Sequence, residues 1–135
     1  MRFVDTNVLI YSISDAPSES VKRVRSDQLL ESRDLALSSQ VLQEFYTQAT
    51  RGRPTPLVTH EQAMAYVESL TRFPIQPVTT ELVLASIACR ARFQISYWDA
   101  AIIEAARMLG CAEILSEDLN HGQDYDGVRV VNPFR

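Results

Sequence analysis

Arg2-Phe3-Val4-Asp5-Thr6-Asn7 is the stretch from which the rest of the chain is read. Residues 2–4 form a short, buried strand, and the polar run Asp5-Thr6-Asn7 follows at its carboxyl end. A strand this short, followed directly by a helix from Asn7 to Ile13, is the opening of a parallel α/β fold. Open sheets of that class place their sites outside the carboxyl ends of the strands, which is where Asp5 falls.

The same alternation continues along the chain. A second helix is expected from Pro17-Ser18-Glu19 to about Ser32, with Ser18 as its N-cap. Asp34-Leu35-Ala36-Leu37 reads as a strand, and Ser38-Ser39 caps a helix that runs to about Thr50 and stops at Gly52 and Pro54. Thr59 and Gln62 have the spacing of a capping box for a helix ending before Phe73-Pro74. Ile75-Gln76-Pro77-Val78 is a short strand at a sheet edge, where proline is tolerated. Thr79 caps a helix to about Phe93, Ser96 introduces an apolar helix to Leu109, and Gly110 ends it. Residues 112–115 and 128–131 read as the last two strands. Strands separated by helices imply parallel pairing with right-handed crossovers. The expected architecture is therefore a three-layer α/β/α sandwich around a central, mostly parallel sheet of four to five strands.

With 135 residues and no Gly/Ser-rich linker, the chain is expected to form a single domain over residues 1–135. A domain of that size buries roughly two thirds of its unfolded surface. Cys89 and Cys111 form no C-x-x-C pair and have no histidine at ligand spacing, so both are expected as reduced, packed thiols in the cytoplasm. Asp5 and Asn7 interrupt the apolar N-terminal run, which argues against a signal peptide or a spanning helix. The net charge of −4 is unusual for a protein that grips nucleic acid through a broad basic face, so any contact with a polyanion is expected to be local. Lys22 is the only lysine. The arginines cluster at residues 23–25, 51–53 and 90–92, and the pair Arg51 and Arg53 flanks a loop glycine in a way that suits bidentate phosphate contact.

Asp5, Glu44, Asp99 and Asp118 are the acids that this topology brings towards one sheet edge. Each has an ordinary structural explanation as well. Asp5 can cap the helix beginning near Asn7, and Glu44 can be a flanking residue beside the Val41, Leu42, Phe45, Ala49 stripe. Asp99 can be the reciprocal acid of a capping box with Ser96, and Asp118 an ordinary turn residue. Glu117, Asp124 and Asp126 are expected to be solvated. Gathered on one edge, four carboxylates are hard to explain as a stabilising device, because two unit charges ~4 Å apart repel by about 4 kcal/mol at an effective dielectric near 20. A divalent cation removes that repulsion, and an all-oxygen donor set selects Mg²⁺ or Mn²⁺ over zinc.

Asp5-Thr6-Asn7, Glu44, Tyr97-Trp98-Asp99-Ala100-Ala101 and Ser116-Glu117-Asp118, in that order and spacing, resemble the PIN-domain ribonucleases, particularly toxins of VapC type. The run from Glu117 to Gly122 and the closing Asn132-Pro133-Phe134 resemble one branch of that family. The resemblance implies a PIN-like fold and Mg²⁺- or Mn²⁺-dependent RNA cleavage. Asp5, Glu44, Asp99 and Asp118 would then be the metal-binding acids, with Asn7, Thr6 and Ser116 in support. Ser116 stands where many members carry threonine, which keeps the hydroxyl. Partners implied are an RNA substrate, a VapB-like antitoxin that lies across the acids, and a second copy of the chain, for which the helix from Glu81 to Phe93 offers a face. Tyr97 and Trp98 are expected to pack beneath their helix, although either, if exposed at the cleft, would be able to stack on an RNA base. The competing reading is a catalytically inactive PIN-like binding or scaffold module.

Overall fold

The computed structural model describes residues 1–52 and 55–135. Five strands, β1 (Arg2–Val4), β2 (Leu35–Ser38), β3 (Ile75–Gln76), β4 (Glu113–Leu115) and β5 (Arg129–Val131), form one sheet. Their order is β3-β2-β1-β4-β5, and every neighbouring pair is parallel. A single antiparallel bridge joins Asp124 to Arg129 outside the named strands. β1 is central: Phe3 and Val4 are fully buried, as are Leu35 and Ala36 beside them on β2 and Ile114 on β4. That continuous apolar character is what a parallel sheet covered on both faces requires.

Among the described residues, six α-helices connect these strands: α1 (Thr6–Ser12), α2 (Ser20–Leu30), α3 (Ser39–Ala49), α4 (His60–Leu70), α5 (Thr80–Phe93) and α6 (Tyr97–Met108). The chain steps outward from β1 through β2 to β3, then returns past β1 to β4 and continues to β5. Right-handed crossovers that run in opposite directions put their helices on opposite faces, giving three layers. α1 packs on α2 and α3, whereas α5 and α6 pack on each other, with α6 against β2, β3 and β4. The reversal between β1 and β4 is the switch point at which such sheets open a crevice.

Local chemistry explains most element boundaries. Ser38 Oγ accepts from the Val41 N–H and Thr79 Oγ1 from the Leu82 N–H, while Thr59 and Gln62 form both arms of their capping box. Ser18 is not a cap: Pro17–Glu19 form a 3₁₀ turn, and α2 begins at Ser20 after Glu19, which makes no side-chain cap bond. The Glu19 carboxylate instead accepts from Ser14 Oγ. β2 begins at Leu35 rather than Asp34, whose carboxylate is held in two hydrogen bonds by Arg2. β3 has two residues rather than four, because Pro77 has no N–H with which to continue the ladder. Pro54, expected to stop α3, lies outside the described residues. Cys89 and Cys111 are free and buried, and burial pushes the Cys89 thiol up to about 11. No described helix is long and apolar enough to cross a membrane.

Candidate functional site at the β1 and β4 ends

Asp5 leaves β1 in extended conformation and starts α1. Its backbone N–H donates to Leu115 O at 3.0 Å, so the β1/β4 ladder fixes it against the end of β4. The side chain is 8% exposed. Oδ1 accepts from the Thr6 N–H at 2.8 Å, and Oδ2 accepts from Ser116 Oγ at 2.7 Å and from Asn7 Nδ2 at 3.4 Å. Cap and cluster member are therefore the same residue. Burial pushes the Asp5 carboxyl up to about 6, with the Asp118 and Glu44 charges adding to the rise and the bonds from Ser116 and Thr6 opposing it.

Ser116, fully buried just after β4, is the hub of this group. Its one proton goes to Asp5, so its lone pairs face Asn7 Nδ2 at 3.3 Å and the N–H groups of Asp118 at 3.1 Å and Leu119 at 3.3 Å. Asn7 stands between the two acids: its amide also reaches Asp118 Oδ2 at 3.3 Å, and its carbonyl oxygen accepts from the Glu117 N–H at 3.2 Å. Two carboxylates that follow different strands are thus spanned by a neutral donor.

Glu44, half-buried on α3, belongs to an adjoining group. Oε2 accepts from Thr6 Oγ1 and Oε1 from Gln40 Nε2, each at 2.8 Å. Gln40 also donates to the Trp98 carbonyl at 3.3 Å, which ties the start of α6 to α3. Asp99 is the next residue on α6, half-buried, with its N–H on Ser96 Oγ at 3.0 Å. The return arm of a capping box is missing: among the described residues the Asp99 carboxylate has no hydrogen-bond partner.

The structure therefore unites Asp5, Asn7, Ser116 and Asp118 directly, and joins Thr6 and Glu44 to them through the Asp5–Thr6 peptide. Asp99 comes alongside through its neighbour Trp98. Among the described residues no three acidic, histidine or cysteine side chains stand together at metal-holding distance. The donor set itself, four carboxylates of which Asp5, Glu44 and Asp118 are met by neutral amide and hydroxyl donors, suits a hard divalent cation. Arg51 is exposed just beyond α3, and Arg53 lies outside the described residues.

Two contributors were not anticipated from the sequence. Gln40 is one turn before Glu44 on α3, a spacing that would have revealed it as a donor. Glu117 is not a free loop acid, since Tyr11 Oη and Lys22 Nζ both donate to its carboxylate. Partial burial opposes ionisation of Glu117, but these bonds outweigh it and hold its carboxyl below the usual range. Lys22 also lies over the Tyr11 ring, 4.8 Å from its centroid. The loop that carries Asp118 is clamped from α1 and α2 as a result.

A buried acid at the switch point of an open parallel sheet, joined through a shared amide to a second acid at the neighbouring strand end, defines an α/β protein with its site in the β1/β4 crevice. The PIN-domain family profile matches residues 2–123, and the chain belongs to that family. Solved structures share its fold. A toxin–antitoxin complex from Klebsiella pneumoniae superposes with a TM-score of 0.73 at 21% identity, covering 98% of this chain and 98% of that one. VapC20 of Mycobacterium tuberculosis, a sarcin-ricin-loop-cleaving toxin, gives 0.68 at 20% identity over 87% and 92% of the two chains. FitAcB from Neisseria gonorrhoeae gives 0.68 at 20% identity over 99% of each. No curated protein matches the sequence.

Proposed function

We propose that residues 1–135 act as a single PIN domain with metal-dependent endoribonuclease activity, serving as the cytoplasmic toxin of a toxin–antitoxin pair. The observation that carries this reading is Asp5, an acid buried to 8% exposure near two further acids, whose hydrogen-bond donors among the described residues are all neutral. Likeness to the toxin structures supports the biological role.

Asp5, Glu44, Asp99 and Asp118 would hold Mg²⁺ or Mn²⁺, which when bound activates a water and offsets charge at the scissile phosphate. The chain's own part is positioning. Ser116 and Asn7 hold Asp5 and Asp118 at fixed separation, while Thr6 and Gln40 hold both oxygens of Glu44. Arg51 and Arg53 are assigned to the RNA backbone. An antitoxin segment bearing a basic side chain is the complementary partner for the acids. A second copy would use α5, where Leu84 and Ile87 are 64% and 52% exposed.

Thermal unfolding in chelator and then in rising Mg²⁺ or Mn²⁺, paired with an RNA cleavage assay, tests this reading. A saturable rise in Tm that Asp99→Asn abolishes, with cleavage in the same metal range, is expected. No rise and no cleavage would leave the scaffold reading in its place.

A further inference from the structure

Trp98 is the chain's one tryptophan, and it stands 65% exposed on the first turn of α6 instead of packing beneath the helix. Half-buried Tyr97 meets it edge to face, with centroids 5.0 Å apart, and such a contact occupies at most one face of the indole. The backbone beneath the ring is fixed, because the Trp98 carbonyl accepts from Gln40, which also holds Glu44. Asp99 follows directly. A residue with a large flat apolar side chain in water is thus tied through its own carbonyl to the donor that holds one of the acids.

We propose that Trp98 is the stacking platform for an unpaired RNA base next to the phosphate that the acids engage, an assignment that rests on the nuclease reading above. Charge explains why stacking is used here. The chain is acidic overall, with a net charge of −4. A base stack is uncharged, so it adds hold on the substrate without opposing the acids, and it accepts any base. The surroundings disfavour a protein partner at this residue. The exposed apolar pair Leu84 and Ile87 lies on α5, whereas Trp98 is flanked in the chain by a tyrosine and an aspartate. An exposed aromatic next to an acid suits a polar partner that presents a flat apolar face.

Because there is one tryptophan, its emission reads the contact directly. A pool of short single-stranded RNAs of randomised sequence is mixed with the wild-type protein in Mg²⁺ while emission and cleavage are followed together, with Trp98→Ala and Trp98→Phe assayed for cleavage in parallel. Emission is expected to fall on mixing, before cleavage, and to recover as products leave. Trp98→Ala should raise the apparent KM roughly ten-fold with a smaller change in kcat, and Trp98→Phe should restore most of the loss. Cleavage accompanied by unchanged emission, or an unchanged KM in Trp98→Ala, would overturn the assignment. Emission that shifts with protein concentration in the absence of RNA, together with an unchanged KM, would give the indole to a second copy and overturn it equally. If no RNA is cut at all, the nuclease reading fails and the assignment falls with it.

Discussion

The acids of this protein divide into two regions with opposite electrostatics. Around the periphery each ion pair matches one acid with one base: Asp34 with Arg2, Glu117 with Lys22, Asp126 with Arg92 and Glu104 with Arg107. At the β1 and β4 ends, Asp5, Glu44 and Asp118 are met, among the described residues, only by Thr6, Asn7, Gln40 and Ser116, all neutral. The contrast is sharpest where the two regions touch: Glu117 and Asp118 are adjacent, yet one is neutralised by lysine and the other shares an amide with a buried acid. An acid kept for stability is paired, and the carboxyls of Glu117 and Asp34 accordingly sit below their usual range. Among the described residues Asp5 has no basic partner where burial penalises its charge, and its carboxyl is pushed up to about 6. Uncompensated charge at the switch point is what singles out the proposed site.

The largest expected effect breaks that contrast at its centre. Asp5→Asn keeps the shape and removes the charge. Removing even an outer partner of a metal ligand reduces activity by about 10- to 100-fold, so loss of Asp5 should lower RNA cleavage by at least ~100-fold, measured at saturating Mg²⁺. The folded protein should survive, as far-UV circular dichroism and unfolding curves would show. Marked destabilisation of the metal-free variant at neutral pH would return Asp5 to a purely capping role.

The second effect is on stability. Between the ordinary carboxyl value of 3.8 and about 6, native Asp5 keeps a proton that the unfolded chain has released. Stability from this group is therefore present below that window and lost as pH rises through it, by about 3 kcal/mol in full. Glu117 and Asp34, held low, act in the opposite direction and lose their contribution as pH falls through the ordinary carboxyl range. The difference between wild type and Asp5→Asn in chelator, followed by urea unfolding from pH 4 to pH 7, isolates the Asp5 part. A constant difference across that range would sink the claim that burial sets its carboxyl.

Third, Asn7→Ala removes the one amide shared by Asp5 and Asp118. Activity should drop about 10- to 100-fold through weaker metal affinity, seen as a rightward shift of the Mg²⁺ dependence. Fourth, changing Arg51 and Arg53 together to Ala should reduce the log–log salt slope of RNA binding by about 1.4, two phosphates at ~0.7 each. An unchanged slope would remove both from the RNA path. The smallest effect belongs to the periphery: Arg92→Ala breaks an exposed pair with Asp126 and should change stability by about 1 kcal/mol or less with cleavage intact. If it matched Asn7→Ala in its effect on cleavage, the division into two regions would be wrong.

Much of the fold was legible because its signals are local. Phe3-Val4 before Asp5, the Thr59 and Gln62 capping box, and the caps at Ser38 and Thr79 each act over a few residues, so periodicity and cap chemistry reveal them. Ser18 misled because serine before a helical run also fits a 3₁₀ turn begun by proline, and the Ser20 N–H, which donates to Pro17 O, shows that the turn formed. Trp98 misled because a large aromatic near an apolar helix is usually covered, and exposure depends on what lies opposite.

By itself, then, the sequence determined the alternation of strands and helices, the parallel sheet it entails, and the four acids with their chain positions. Tertiary structure alone decided which acids share donors. Asn7 and Ser116 are 109 residues apart, and Ser116 and Asp5 are 111 apart, so no local pattern records that one hydroxyl joins the ends of two strands. Burial, and with it the Asp5 proton, is likewise a property of the packed chain, because desolvation depends on every element around a group rather than on its neighbours in sequence.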